Sequence, residues 1–210
     1  QMCIRDSLET VPVGDDLAEK PFRLPVQWVN RPNQNFRGFS GTIVSGTVKP
    51  GDAIKALPSG RTSTVERVVT YDGDLSEGIA GQSLTITLKD EIDISRGDVI
   101  CTANDALDVS DQFEVEILWM SDEPMLPGRP YLFKSSTKTV TGTLDELKYK
   151  VNVNTMEHVA AKTLQLNEIG VCNLELDSQI AFAPYVENRN LGSFIIIDRF
   201  SNNTVGMGLI

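Results

Sequence analysis

From Gln112 to Trp119 the sequence reads Gln-Phe-Glu-Val-Glu-Ile-Leu-Trp, with apolar side chains at every second position from Phe113 onward. Polar residues fill the positions between them as far as Glu116. Because successive side chains of a β-strand point to opposite faces, this period of two is typical of an antiparallel strand with one face in the core. We therefore expect Phe113, Val115, Ile117 and Trp119 to share a buried face.

The same alternation recurs along the chain. It predicts shared faces for Phe22, Leu24, Val26 and Trp28, for Leu84, Ile86 and Leu88, and for Leu147, Tyr149, Val151 and Val153. Turn chemistry separates these runs, as in Lys49-Pro50-Gly51-Asp52, where proline presets φ and glycine accepts a positive φ. The best helical candidate, residues 155–161, spans about two turns, with a loop as the alternative. Many short strands between regular turns predict an all-β fold.

The domain organisation follows from length and turn placement. A chain of 210 residues has room for two domains of roughly 100 residues each. A boundary near residues 104–108 divides it into two consecutive antiparallel β-barrels, 21–106 and 107–210. Residues 1–20 read as an acidic arm or linker.

The composition limits the cellular compartment and the classes of partner that we expect for this chain. The formal net charge of -10 argues against a general nucleic-acid binder, which usually carries a basic excess. No run approaches the ~18 apolar residues of a membrane helix, and the first residues lack the apolar core of a signal peptide. Cys3, Cys101 and Cys172 are too widely spaced for a CxxC metal site and are interpreted as reduced thiols. We expect a cytoplasmic protein.

The sequence lacks the motifs that nucleotide binding, nucleophilic catalysis or metal binding requires. It contains no GxxxxGK[ST] phosphate loop and no GxSxG nucleophile turn. The only histidine, His158, is interpreted as solvated, and the ligand clusters that metal sites need are absent. We predict no catalytic, cofactor-binding or metal-binding residue in this chain.

The motifs of the first half, taken in order, resemble the second domain of elongation-factor-Tu-like translation GTPases. They are the glycine-rich run 37–48, Lys49-Pro50-Gly51-Asp52, Ala80-Gly81-Gln82 and Arg96-Gly97-Asp98. Finer motifs resemble the large GTPase subunit of bacterial sulfate adenylyltransferase (ATP sulfurylase). These include Gln27-Trp28-Val29-Asn30-Arg31-Pro32, Thr70-Tyr71-Asp72-Gly73-Asp74, Leu126-Pro127-Gly128-Arg129-Pro130-Tyr131 and the closing run 203–210. The resemblance covers roughly 21–210, and residues 1–7 lie outside it, which leaves their native origin open.

This resemblance implies a function within a complex. The family joins ATP and sulfate to make adenylyl sulfate in sulfate assimilation, and GTP hydrolysis drives the step. Adenylyl transfer and ATP belong to a separate small subunit, while GTP and Mg²⁺ belong to a GTPase domain that we expect to be missing here. The chain alone is thus predicted to be inactive. Some family members carry a further adenylyl-sulfate kinase domain, which the sequence neither shows nor excludes.

Candidate partner contacts are Arg31, Asn35 and Arg37. Arginine suits bidentate pairing with carboxylates or phosphates, and residues 21–106 hold 9 basic and 10 acidic residues against 8 and 14 in 107–210. A solvated barrel rim is the plainer interpretation of these three residues. Two alternative functions stay open: an aminoacyl-tRNA-binding module of a translation GTPase, and a stand-alone scaffolding pair of barrels.

Overall fold

The structure is a computed structural model that describes residues 17–34 and 36–210. Most of the expected arm, with Cys3, lies outside the described residues, as does the candidate contact Asn35. The described residues form seventeen β-strands and no helix, so they contain no helix that could cross a membrane.

The strands alternate with short turns along the whole chain. They are β1 Arg23–Pro25, β2 Trp28–Asn33, β3 Phe36–Thr42, β4 Thr47–Val48, β5 Ala53–Leu57, β6 Arg61–Thr70, β7 Gly73–Leu75, β8 Gly78–Ile79, β9 Ser83–Leu88, β10 Val99–Thr102, β11 Asp108–Trp119, β12 Pro130–Ser135, β13 Lys138–Val151, β14 His158–Val159, β15 Ile169–Phe182, β16 Ser193–Ile197 and β17 Thr204–Leu209.

Strands β1 to β10 build the first barrel. Its sheet runs in the order β1-β10-β5-β6-β9-β3-β2, β7 pairs with β6, and β4 and β8 form a separate pair. The sheet closes beyond β3, because the Arg23 backbone N–H donates to the Ser45 carbonyl (2.9 Å) and the Val44 N–H donates to the Arg23 carbonyl (3.0 Å). Leu24, Val65 and Ile86 are fully buried in its core. Strand β2 lies beyond this closure, at the end of the sheet.

Strands β11 to β17 build the second barrel. The ring β12-β16-β17-β11-β15-β13 returns to β12, and β14 is added outside it on β13. Every pairing in both barrels is antiparallel. The predicted all-β fold is confirmed. The exact boundary between the two domains, at residue 106, stays a prediction.

The alternation of apolar and polar residues predicted burial correctly where the strand pairing is regular. Phe113, Val115, Ile117 and Trp119 are all at most 7% exposed. The predicted turn at 49–52 is confirmed, since Gly51 has a φ of 99° and the Asp52 N–H donates to the Lys49 carbonyl.

Two predicted faces are wrong only towards their ends, since Phe22, Leu24, Val26 and Leu147 are buried as predicted. Trp28 is 60% exposed, because the chain leaves β1 after Pro25 and enters β2 with its side chains in a new orientation. Tyr149 and Val151 are only partly buried and Val153 is 58% exposed, because the β13–β15 register shifts between Leu144 and Tyr149. Such bulges carry the following side chains to the other face.

At residues 155–161 the helical candidate is wrong, and the alternative of a loop is closer to what the structure shows. Residues 153–155 form a turn, and the Met156 N–H donates to the Asn152 carbonyl at 2.7 Å. His158 and Val159 pair with β13 as strand β14. His158 is exposed, as the sequence suggested, and its ring stacks on Tyr149 with 3.8 Å between centroids.

Among the described residues, the two barrels contact each other through a small apolar cluster and an ion pair. Val99 of the first barrel packs with Ala183 and Leu191 of the loop after β15. The Lys138 Nζ lies 3.6 Å from the Asp98 carboxylate across the same junction. These contacts place the outer surface of β2 and β3 beside the β12–β13 turn, which forms the site described next.

Candidate partner interface

A groove of about 980 Å³ lies on the outer face of the first barrel and reaches the second barrel. Its floor is a row of four neighbouring residues on adjacent strands, since Trp28 pairs with Ser40, Ser40 with Thr85, and Thr85 with Val69. The strands β2, β3, β9 and β6 therefore present this row as a continuous surface.

Hydroxyl groups line the middle of the floor. Ser40 Oγ and Thr85 Oγ1 are 2.8 Å apart, and Thr42 Oγ1 and Ser83 Oγ are 2.8 Å apart one step along the sheet. In each pair one oxygen donates and the other accepts. Each hydroxyl oxygen keeps a free lone pair that can accept a hydrogen bond from a bound group.

Aromatic side chains surround this floor. Trp28 is 60% exposed, and Tyr71 at the end of β6 is fully exposed. Phe36 reaches the groove across Gly38, where an added Cβ would lie 2.8 Å from the Phe36 ring and 2.4 Å from Thr85 Cγ2. Glycine at position 38 therefore lets the Phe36 ring lie close to the floor.

The second barrel contributes the far wall. Ser136 and Thr137 of the β12–β13 turn line it together with Asn190. The Thr137 Oγ1 is shielded from solvent and has no hydrogen-bond partner among the described residues. Of the described residues that line the groove, none is Asp, Glu, Lys or Arg.

The predicted contacts Arg31 and Arg37 lie on the hairpin of β2 and β3, next in sequence to the groove residues Asn30 and Phe36. Arg31 Nη2 lies 3.8 Å from Glu91 Oε1, and Arg37 Nη2 lies 3.5 Å from Asp93 Oδ1. The structure thus brings both arginines against one acidic loop, and none of the four side chains is among those that line the groove. Their charges are partly balanced before any partner binds.

Sequence reasoning missed Trp28 and Tyr71 as surface residues. The alternation predicts a buried Trp28 because this residue continues the Phe22–Val26 run. Two signals could have corrected this: Trp28 lies two residues before the polar pair Asn30-Arg31, and Tyr71 directly precedes the turn Asp72-Gly73.

A second cluster lies at one end of the second barrel, beside a cavity of about 700 Å³. Asp198 accepts hydrogen bonds from the Ser201 N–H (2.9 Å) and the Phe200 N–H (3.0 Å) and pairs with Arg129. Chiefly the Ser201 N–H, with these other donors, holds the pKa of Asp198 below its ordinary value. The Arg129 guanidinium lies over the rings of Tyr131 (5.5 Å) and Phe200 (5.7 Å).

Ionisable groups elsewhere carry structural roles. Burial raises the pKa of the Cys172 thiol to about 12 and also raises that of Cys101, so neither is a thiolate nucleophile at neutral pH. The Lys150 ammonium lowers the pKa of Glu168, which it contacts at 2.6 Å. Within 17–34 and 36–210 no three His, Cys, Asp or Glu side chains are grouped to hold a metal ion.

Comparison with protein families matches each half of the chain. The family described as elongation factor Tu domain 2 matches residues 39–101, and the family described as GTP-eEF1A C-terminal domain-like matches residues 112–210. The chain is also similar to a crystal structure of sup35 complexed with GMPPNP, with a TM-score of 0.83 over 97% of this chain and 50% of that one. At 16% identity, this second likeness concerns the fold alone.

Curated relatives match over nearly the whole chain. Sulfate adenylyltransferase subunit 1 of Aliarcobacter butzleri is 51% identical over 203 residues, which are 97% of this chain and 43% of the relative. The bifunctional enzyme NodQ of Rhizobium sp. (strain N33) is 48% identical over 98% of this chain and 32% of the relative. The bifunctional enzyme CysN/CysC of Xylella fastidiosa is 52% identical over 89% of this chain and 30% of the relative. The chain therefore spans less than half the length of these relatives.

Proposed function

Because this chain is a homologue of the sulfate adenylyltransferase subunit 1 proteins, we propose that it is the non-catalytic double-barrel region of such a subunit. In this role it couples GTP hydrolysis to the synthesis of adenylyl sulfate from ATP and sulfate. The observation that carries the proposal is the 51% identity to a named subunit 1 over 97% of the chain. GTP and Mg²⁺ are assigned to a GTPase domain outside this chain, and ATP to a partner subunit.

The coupling is proposed to be mechanical. Closed sheets resist deformation because each strand is paired on both sides, and the junction at Val99, Leu191 and Lys138 holds the barrels to each other. A GTPase domain that contacts this pair in only one nucleotide state would shift its orientation against the partner subunit. Binding of GTP would then act as a population shift between two arrangements.

The rim around Arg31, Asn35 and Arg37 is proposed as part of the contact with the partner. The pairs Arg31–Glu91 and Arg37–Asp93 are exposed and long, so a partner carboxylate can replace Glu91 or Asp93 at little cost. The location is proposed to be the cytoplasm. A kinase region fused beyond the barrels, suggested by the bifunctional relatives, is proposed for longer forms of the protein.

The experiment that tests this function is a binding titration of the 210-residue chain with the purified small subunit of a homologous sulfate adenylyltransferase. We expect saturable binding that weakens about 3- to 10-fold in the double variant Arg31→Ala/Arg37→Ala, as for other rim charges. Arg199→Ala, an exposed arginine on the second barrel, is the matched control and should bind like the parent. No binding by the parent would refute the proposed function.

The same titration separates the alternatives. Binding to transfer RNA would fall steeply with added salt because phosphate contacts release counterions, whereas partner docking should change far less. A stand-alone scaffolding pair would bind neither. GTP binding or adenylyl transfer by the purified chain would contradict its non-catalytic assignment.

A further inference from the structure

The junction between the two barrels is small and incompletely packed. Among the described residues, its apolar cluster has three buried members, Val99, Ala183 and Leu191. Residues of both barrels, among them Asp98 and Gln179, also line a cavity of about 330 Å³. Apolar packing is non-directional, and small contacts between domains ordinarily permit relative motion. More directional contacts are therefore needed to set the angle between the barrels.

Polar contacts that can orient the second barrel lie at both ends of β10, the strand that carries Val99. Gly97 and Asp98 directly precede this strand, and the linker 103–107 directly follows it. The strand has four residues, so at roughly 3.3 Å per residue its ends are about 13 Å apart. Two contacts separated in this way also prevent the rotation that a single contact would leave free.

At the start of β10, a well-ordered turn receives Lys138 of the second barrel. The Asp98 carboxylate accepts a hydrogen bond from the Ser95 N–H at 2.8 Å, and the Gly97 N–H donates to the Val26 carbonyl at 2.9 Å. A Cβ on Gly97 would lie 2.5 Å from Lys138 Cδ and 3.0 Å from Lys138 Cα. Because glycine leaves this space free, the Lys138 side chain packs on the turn, and its Nζ lies 3.6 Å from Asp98 Oδ1.

At the end of β10, a buried arginine holds the linker. Arg23 Nη2 donates to Asp105 Oδ1 at 2.9 Å, and Arg23 Nη1 donates to the Phe22 carbonyl at 3.0 Å. A guanidinium removed from water needs such partners, so loss of the Asp105 carboxylate would leave its charge poorly compensated. Two residues further on, Leu107 packs against the apolar cluster. The Arg23–Asp105 pair therefore fixes the path by which the chain enters the second barrel.

The other contacts between the barrels are less directional or more exposed. Lys20 Nζ donates to the Glu187 carbonyl at 3.4 Å in an exposed position, where water competes for both groups. The apolar cluster keeps the barrels together without selecting one angle between them. The two ends of β10 are thus the best-defined directional contacts at the junction.

We propose that β10 acts as an orientation lock, in which the Gly97–Asp98 turn at one end and the Arg23–Asp105 pair at the other hold the second barrel at one angle to the first. Lys138 and Asp105 are the positioning residues of this lock. The inference deepens the proposed function, and its role in coupling rests on that function, because a unit that transmits a change of orientation must keep its own shape.

The test is to measure residual dipolar couplings of the 210-residue chain by NMR and to fit them separately for each barrel. In the parent, one alignment tensor should describe both barrels, because they tumble as one body. In the double variant Asp105→Ala/Lys138→Ala, the couplings within each barrel should still fit its own fold, but the two barrels should require different tensors. Each single variant should show a smaller difference, since the other end of β10 still holds.

Asp74→Ala/Lys148→Ala is the matched control for the double variant. It removes the same two residue types, but Asp74 pairs with Arg67 inside the first barrel and Lys148 pairs with Glu114 inside the second. This control should keep one common tensor. The inference is wrong if the Asp105→Ala/Lys138→Ala variant also keeps one tensor, if the control loses it to the same extent, or if one single variant alone gives the full difference.

A pair of glycine variants tests the start of β10 without removing a charge. Gly97→Ala and Gly51→Ala both place a Cβ at a positive φ, 94° and 99°, but the Cβ at Gly97 would meet Lys138 whereas the one at Gly51 would meet nothing within 4 Å. We expect the common tensor to be lost in Gly97→Ala and kept in Gly51→Ala. This comparison decides the outcome if the unpaired Arg23 unfolds the double variant, and a common tensor in Gly97→Ala overturns the inference.

The titration with the small subunit separates this inference from the proposed function. If the double variant loses the common tensor and the parent does not bind the small subunit, the orientation lock stands and the proposed function fails. If the parent binds the small subunit and the double variant keeps the common tensor, the orientation lock fails and the proposed function stands.

Discussion

Gly46 and Gly51 have similar backbone conformations but very different surroundings. Their φ angles are 77° and 99°, a region that other residues adopt at a cost. A Cβ at Gly46 would lie 2.4 Å from the Phe22 backbone, whereas a Cβ at Gly51 would meet nothing within 4 Å. We expect Gly46→Ala to lower the free energy of unfolding by roughly 3 kcal/mol or more, from strain and overpacking together.

Gly51→Ala is the control for this prediction and should cost only about 1 kcal/mol, since it introduces backbone strain without a clash. Urea unfolding of both variants gives the comparison. Equal losses of stability would show that crowding at Phe22 is relieved by a backbone shift.

The buried thiol of Cys172 should resist alkylation. Burial raises its pKa to about 12, so almost none of it is thiolate at about pH 8.5, where a free thiol is half ionised. Unfolding restores the lower pKa, so the stability that depends on a neutral Cys172 is present below the ordinary thiol pKa. It is lost as the pH rises from there towards about 12.

Iodoacetamide labelling followed by mass spectrometry checks this directly. Cys101 and Cys172 should both stay unlabelled in the native chain for far longer than in a guanidinium-unfolded sample. Rapid native labelling of Cys172 would mean that the second barrel opens easily around it.

Asp198 should contribute to the loss of folding stability at acid pH. Hydrogen bonds from the Ser201 and Phe200 N–H groups, together with Arg129, hold its pKa below the ordinary value. The unfolded chain therefore takes up a proton at Asp198 at a higher pH than the native chain does. The stability it provides is complete above the ordinary carboxyl pKa of about 4 and is lost as the pH falls through the lowered native value.

We expect Asp198→Asn to be less stable near neutral pH and to lose less further stability on acidification than the parent. Urea unfolding across the acid range measures this slope. Asp145→Asn removes the same charge from an exposed position of the second barrel and should leave the slope near that of the parent. Parallel slopes for Asp198→Asn and the parent would contradict the assigned role.

At the level of strands, alternation predicted burial wherever the ladder is regular. Strand β11 pairs with β15 in unbroken register from Gln112 to Leu118, and its predicted inner face is buried. The prediction failed in β13, where two register shifts move Tyr149 and Val151 outward. Bulges depend on the partner strand, so a single sequence run does not reveal them. The exposure of Trp28 could not be predicted for a similar reason. The chain leaves β1 at Pro25 and begins β2 at Trp28, and the alternation alone does not show this change of strand.

Strand β14 should be locally rather than globally important, because it lies outside the closed ring of the second barrel. Its stack of His158 on Tyr149 is exposed. We expect His158→Ala to change the free energy of unfolding by less than about 1 kcal/mol, as for most surface changes. Amide exchange should nevertheless accelerate at Asn152, whose N–H donates to the Glu157 carbonyl at 2.9 Å.

Hydrogen exchange measured by NMR distinguishes the two effects. The amide of Ile117, in the middle of β11, serves as the internal control and should exchange as in the parent. Faster exchange across β11 would mean that β14 stabilises the whole barrel.

At the level of the whole molecule, the sequence predicted the architecture but only part of the candidate site. The ordered motifs of both halves were sufficient for the two-barrel fold. Residue type and local charge predict Arg31 and Arg37 as contacts, and both lie on the β2–β3 hairpin, outside the groove lining. The groove itself combines β2, β3, β6 and β9 with Ser136, Thr137 and Asn190 of the second barrel. That combination depends on the junction between the barrels, which no local pattern encodes.

The junction should make the two barrels unfold together. Leu191 is 1% exposed and packs with Val99 of the first barrel, so Leu191→Ala removes part of the only apolar cluster that the described residues share between the barrels. The chain has two tryptophans, Trp28 in the first barrel and Trp119 in the second. The single-tryptophan backgrounds Trp119→Phe and Trp28→Phe therefore report each barrel separately by fluorescence. We expect coincident urea midpoints in both backgrounds and separated midpoints once Leu191→Ala is added.

Leu144→Ala is the matched control, because Leu144 is fully buried within the second barrel alone. It should cost about 2–5 kcal/mol and, while the junction is intact, lower the midpoints seen from Trp28 and from Trp119 together. If Leu144→Ala moved only the Trp119 signal, the barrels would already be independent. They could not then move as the single rigid unit that the proposed coupling requires.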